Sequence, residues 1–248
     1  MNRSVICYYA KGGQGKVLAP AFAEGCGGEI QRGGPWRGGV AAFYGVKAET
    51  EAAWKAARDS AADWFYIDNA YFGRGSYFRI TRNAIQHDGR GTADPARFLA
   101  HGLTIQEWRR RGDHILVCLQ SDNFMMRTCG IDPASWRRGV ATALAAHTDR
   151  PIVWREKDTA RPLRDDFRRC WAVVTHTSNV AVEALLAGIP VFLTGPSAAR
   201  AMGSGDLSRI EDPPMPDGRP AWAAVLAANQ WSLPEIRSGR AWAALQGN

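Results

Sequence analysis

Thr175, His176, Thr177, Ser178 and Asn179 follow one another between two apolar runs, "CWAVV" and "VAVEALLAG", and Glu183 stands four residues after Asn179. Hydroxyls, an imidazole and a carboxamide at a strand-to-helix junction are groups that hold phosphate and sugar oxygens. The start of a helix leaves backbone amides without intrahelical partners, and its dipole end favours negative charge. Thr177 or Ser178 serves as the cap in this reading, and the spare amides face an anion. Glu183, on the same helical face as Asn179 and one turn deeper, accepts from the hydroxyls of a ribose or another sugar. The same residues also allow an ordinary Ser/Asn cap with a solvated Glu.

Two further stretches carry chemistry. "KGGQGK", residues 11–16, follows a short apolar run and suggests a phosphate loop, but Ala10 and Val17 stand where a Walker loop needs Gly and Ser or Thr. Gly13 and Gln14 are left as candidates for a ligand-facing strand-to-helix turn, the alternative being a merely tight turn. Residues 73–91, "GRGSYFRITRNAIQHDGRG", bring Arg74, Arg79 and Arg82 together with Tyr71 just upstream and Tyr77. Aromatic faces stack on bases while guanidiniums bind phosphate, so the stretch suggests nucleic acid; its alternation equally suits an edge strand with one wet face. The run Arg109, Arg110, Arg111 adds to the first view.

The elements that must position these residues alternate as strand and helix, the pattern of a parallel sheet covered by helices. Strands are expected at 5–9, in "GVAAFYG" and in "WFYIDNAYF", with helices in "VLAPAFAEG" and "AETEAAWKAARDSAAD" between them. A second series runs from residue 112: strand "HILVCLQ", helix "PASWRRGVATALAAHT", strand "PIVWREK", helix "PLRDDFRRC", strand "WAVVT", helix "NVAVEALLAG", strand "IPVFLTG", and a tail read as two packed helices. The fold class is therefore α/β with two Rossmann-like halves, residues 1–111 and 112–248, the first one short. At 248 residues the chain has room for two compact units.

Composition narrows the partners. Thirty-one basic against 24 acidic residues give a net charge of +7, which suits a phosphate-bearing ligand or nucleic acid. Five widely spaced cysteines, mostly in apolar runs, read as reduced core residues, with no CxxC pair to suggest a metal. No apolar stretch approaches 18 residues and the N-terminal run is short for a signal peptide, so no integral membrane association and a cytoplasmic location are expected.

"VVTHTSNVAVEALLAGIPVF" resembles the donor-binding segment of glycosyltransferases of the GT-B fold, most of all the capsular polysaccharide and Kdo-transferase-like branch and short phage-type relatives. "RPAWAAVLAANQWSLPEIRSGRAW" is similar to that branch's C-terminal tail. The resemblance implies a metal-independent transferase without a cofactor. Its second half would hold a nucleotide sugar, UDP- or CMP-linked, and its first half would present the acceptor across a cleft. Within that frame His176, Thr177, Ser178, Asn179 and Glu183 bind donor, Arg155 and Lys157 neutralise the leaving diphosphate, and Gln120 and Ser121 line the cleft. For Arg155 and Lys157 the alternative is pairing with Asp165 and Asp166. Transfer with inversion needs a base: Asp68, at the end of an apolar strand, is the first candidate and His87 the second. Asp68 as a turn-capping residue is the competing view, and a retaining enzyme would not require the base.

The acceptor is read as a 5-hydroxymethyl-pyrimidine in DNA, contacted by Asn69, Tyr71, Arg74, Tyr77, Arg79 and Arg82. The alternatives are a capsule- or lipopolysaccharide-type saccharide, or a non-catalytic nucleotide- or nucleic-acid-binding module on the same frame. A sugar-nucleotide epimerase shares the segment but has a larger first half.

Overall fold

The computed structural model describes residues 4–157 and 159–246. Its strands are, in chain order, β1 (Val5–Tyr9), β2 (Glu29–Arg32), β3 (Val40–Tyr44), β4 (Trp64–Asn69), β5 (Tyr77–Arg82), β6 (His114–Cys118), β7 (Ile152–Arg155), β8 (Cys170–Thr175), β9 (Val191–Leu193) and β10 (Gln230–Ser232). They form two sheets, and the chain divides into two compact units. Among the described residues no helix is long and apolar enough to cross a membrane.

The first unit holds the six-stranded sheet β10-β5-β4-β3-β1-β2, in which β1 to β4 pair parallel and β5 and β10 antiparallel. Side chains alternate across a strand, so each strand feeds two faces. On one face Cys7, Phe65 and Ile67 meet Leu18 and Phe22 of the helix Gly15–Cys26, together with Ile236 and Leu245 from the C-terminal helices. On the other, Tyr8 stacks on Phe43 at 5.0 Å, and the buried Trp54 of the helix Glu51–Arg58 meets Phe43, Trp64 and Tyr66 edge-on or tilted. Burial on both faces is why these strands read as unbroken apolar runs.

The second unit is the all-parallel sheet β7-β6-β8-β9. Every residue of β8 is buried. Ile115, Val117, Val174 and Phe192 pack with Val140 and Leu144 of the helix Pro133–Ala145. That helix starts where Asp132 accepts from the Ser135 amide at 2.8 Å and Pro133 occupies the first turn.

The division of the chain differs from the expected break at residue 112. The first unit comprises residues up to Ile85, residues 127–129 and everything from Asn229 onward; the second comprises Gln86–Met126 and Gly130–Ala228. Two sets of backbone bonds are responsible. The tail contains β10, which pairs with β5 in the register Gln230↔Arg79, Trp231↔Phe78 and Ser232↔Tyr77, in place of the expected purely helical ending. Residues 86–111 belong to the second unit, where the Gln106 and Arg109 amides donate to the carbonyls of Leu186 and Gly188.

Candidate functional site

The polar turn after β8 lies at the carboxyl ends of the parallel strands, where open α/β sheets bind ligands. Each of its first three residues is tied down. Thr175 Oγ1 donates to the Cys118 carbonyl at 2.8 Å. His176 Nδ1 lies 3.0 Å from Thr194 Oγ1, which also accepts from Trp136 Nε1 at 2.8 Å. The Thr177 carbonyl accepts from Gln86 Nε2 at 2.8 Å. Gln120 completes the frame. With its carboxamide oxygen turned toward the turn, it accepts from the Thr177 and Ser178 amides at 2.5 and 2.7 Å and from Thr177 Oγ1 at 3.0 Å.

This arrangement corrects the expectation that the helix start offers open amides to an anion. Gln120 takes the amides of Thr177 and Ser178, Ser178 Oγ takes that of Val180 at 3.2 Å, and the Ser178 and Asn179 carbonyls take those of Ala181 and Val182. His176 and Thr177 are 5% and 2% exposed and are framework. Ser178 and Asn179 are partly exposed and Glu183 is exposed, so side chains, not backbone, are what this turn presents. Ser121 starts the short helical turn after β6, where its carbonyl accepts from the Phe124 and Met125 amides.

Arg155 does not face a diphosphate. Its guanidinium pairs with Asp166 and donates to the Arg161 carbonyl at 2.8 Å, while Arg161 pairs with the other Asp166 oxygen. The strand stops at Arg155, so the alternation that would put Lys157 on the same face ends before it, and Lys157 is exposed. The pairing alternative therefore describes Arg155.

Burial pushes the His176 imidazole below its usual pKa, and the ring stays neutral at pH 7. Because its folded-state value lies below the unfolded one, the unfolded chain takes up a proton first as pH falls below about 6.5. His87 and His101 shift in the same direction by burial. Stability is therefore expected to fall between pH 7 and pH 5. Thermal melts across that range check this, and His176→Gln should reduce the difference; an identical reduction absent from every histidine variant would assign the pH effect elsewhere.

In the first unit, Asp68 and Asn69 end β4 in an ordered cluster. Asp68 Oδ2 pairs with Arg79 at 3.0 Å, and Oδ1 accepts from the Asn69 amide at 2.7 Å and its Nδ2 at 3.2 Å. Arg79 is 2% exposed; it also donates to the Asn69 carbonyl at 2.9 Å and lies over the rings of Tyr66 and Tyr71. Tyr71 is buried, its amide held by Gln230 Oε1. Arg82 pairs with Asp63 at 2.6 Å. Arg79 and Tyr71 are thus committed within the protein, which corrects their reading as contacts to phosphates and bases, whereas Arg82 stays exposed in a surface pair. Arg74 is exposed and Tyr77 is half-buried in β5.

Tyr44 donates to Gln14 Oε1 at 3.0 Å, next to the positive-φ Gly13. Burial and then Asp68 raise the Tyr44 pKa to about 12. Gly13 and Gln14 thus belong to the unit of Asp68, whereas His87 belongs to the second unit, where its Nδ1 accepts from the Gly89 amide at 2.9 Å. Sequence reasoning missed Gln86, Trp136 and Thr194, which bear on the turn only through the fold.

What fold and turn define is a two-sheet, Rossmann-like α/β protein with a polar turn at the carboxyl end of a buried parallel strand. Among solved structures, the KpsC beta Kdo 2,4 transferase of Thermosulfurimonas dismutans is similar to it with a TM-score of 0.51 and 11% identity over 91% of each chain. The KpsC beta Kdo 2,7 transferase of the same organism is similar with a TM-score of 0.50 and 13% identity over 97% of this chain and 99% of that one. The chain shares their fold. No known protein-family model and no curated protein matches it.

Proposed function

We propose that this protein transfers a sugar from a nucleotide sugar to an acceptor hydroxyl, and that the acceptor is a saccharide. The observation that carries the reading is the turn after β8. A rigid frame of Gln120, Gln86 and Thr194 leaves the side chains of Ser178, Asn179 and Glu183 as the groups presented at the carboxyl end of the sheet. Those side chains suit ribose and phosphate oxygens, and the fold is that of two glycosyltransferases. In the first unit Asp68 takes the acceptor proton, with Arg79 holding the carboxylate in place. A hydroxymethyl-pyrimidine in DNA is disfavoured as acceptor because Tyr71 and Arg79 are occupied inside the unit.

Calorimetric titration of UDP, CMP and their sugar conjugates tests the donor half of this reading; failure of all of them to bind would refute it. Gln120→Ala removes three hydrogen bonds worth about 0.5–1.5 kcal/mol each, so donor affinity should drop roughly tenfold or more. Gln120→Glu keeps an acceptor oxygen toward the two amides and should retain most of that affinity.

A further inference from the structure

Two of the five cysteines meet in the first unit. Cys7, 1% exposed, is the middle residue of β1 and faces the helix Gly15–Cys26. Cys26 ends that helix, partly exposed and packed against the same core. Its sulfur is placed from two sides. In the last helical turn it lies 3.6 Å from the Ala23 carbonyl. Toward the sheet it reaches the start of β1, because a Cβ at Gly28 would stand 3.0 Å from the Cys26 sulfur and 3.2 Å from the Val5 Cβ. Side chains alternate along a strand, so Val5 and Cys7 share the face on which that sulfur sits. There the two side chains hydrogen-bond, Cys7 donating, and both are free thiols.

The pair divides the parts of an oxidation. The Cys7 thiol, helped by the Gly28 amide, holds the Cys26 pKa below that of an ordinary thiol against the effect of burial; the same bond and burial hold Cys7 well above it. A thiolate with access to solvent attacks an oxidant, and a second sulfur beside it resolves the product. The other cysteines lack this arrangement. Cys129 is also partly exposed, but burial pushes its thiol up to about 11, and Cys118 and Cys170 are buried, their thiols pushed up to about 12. We propose that Cys7 and Cys26 form an oxidative modification site whose substrate is a hydroperoxide. With hydrogen peroxide, the Cys26 sulfur attacks one oxygen: an S–O bond forms, the O–O bond breaks, and the other oxygen leaves as water. Cys26 is oxidised to its sulfenic acid and the peroxide is reduced. The Cys7 sulfur then attacks that of Cys26; the S–S bond forms, the S–O bond breaks, and the hydroxyl departs with the Cys7 proton as water. Two thiols and one peroxide give one disulfide and two waters. This chemistry is independent of sugar transfer.

Hydrogen peroxide added to the native full chain, followed by alkylation of the remaining thiols and non-reducing peptide mapping by mass spectrometry, tests the site. A peptide joining Cys7 to Cys26 should form and be released by dithiothreitol, and Cys26 should be consumed at least about tenfold faster than Cys129. Cys26→Ser, at a partly exposed position, should abolish the link and leave the other thiols free to alkylate. Cys7→Ala should halt the reaction at the Cys26 sulfenic acid, trapped as its dimedone adduct. If that core variant does not fold, dimedone added to the wild type reads the same intermediate, the adduct on Cys26 rising as the linked peptide falls. Absence of the Cys7–Cys26 peptide, its formation only in urea, or consumption of Cys26 no faster than Cys129 would overturn the proposal.

Discussion

If the proposed reading holds, Asp68→Asn slows sugar transfer by about 10²- to 10⁴-fold, the range for loss of a general base, with nucleotide-sugar affinity at the wild-type level. The residue ends β4 at the carboxyl edge of its sheet, a quarter exposed, with one oxygen on Arg79 and the other on Asn69. Losing the carboxylate also strips the charge partner from a guanidinium that is 2% exposed. Breaking a buried pair costs about 3–5 kcal/mol, here toward the lower end because Asp68 keeps contact with solvent. Activity must therefore be recorded well below the lowered melting temperature. Asp68→Glu separates the effects: it retains the charge, should recover most of the stability, and should still transfer slowly because its carboxylate is displaced by one methylene. Wild-type turnover in folded Asp68→Asn would remove Asp68 from the chemistry and leave it as the counter-ion of Arg79.

The largest stability effect is expected at Asp166, whose side chain is 1% exposed with each oxygen paired to an arginine. Asp166→Ala leaves the Arg155 guanidinium, itself 12% exposed, without its counter-charge. A cost of about 3–5 kcal/mol follows. For a chain of this size that lowers the melting temperature by roughly 6–20 °C. Arg161, more than half exposed, contributes little of this and should tolerate Arg161→Ala with a shift of only a few degrees. Thermal and urea unfolding of the two variants beside the wild type check the order. A melting temperature for Asp166→Ala within about 2 °C of wild type would mean that water neutralises Arg155 as well as the carboxylate does.

Strands buried on both faces were readable because their apolar runs are unbroken, and β1, β3, β4, β6 and β8 lie where the runs fall. β10 was not, since three residues, "QWS", carry no period and its partner β5 lies about 150 residues earlier. The boundary at residue 112 was misplaced for a related reason: residues 86–111 have little periodicity, and their backbone bonds to Leu186 and Gly188 leave no trace in side-chain types. At the site, the polar turn was legible from residue types alone. Its closure was not, because whether an amide is open depends on Gln120, 57 residues away. Arg155 and Asp166 were visible as one possible pair, and only burial decides between that pair and a ligand.

The pairing of β10 with β5 bears on how the protein is made. Residues that complete the first sheet are synthesised after the whole of the second unit. The second sheet, with all four strands between residues 114 and 193, is complete in the nascent chain while the first still exposes the edge of β5. During that interval β5 offers unpaired backbone groups to any neighbouring strand, the hazard of an open sheet edge. Vectorial synthesis therefore completes the second sheet before the first, although the first begins earlier in the chain.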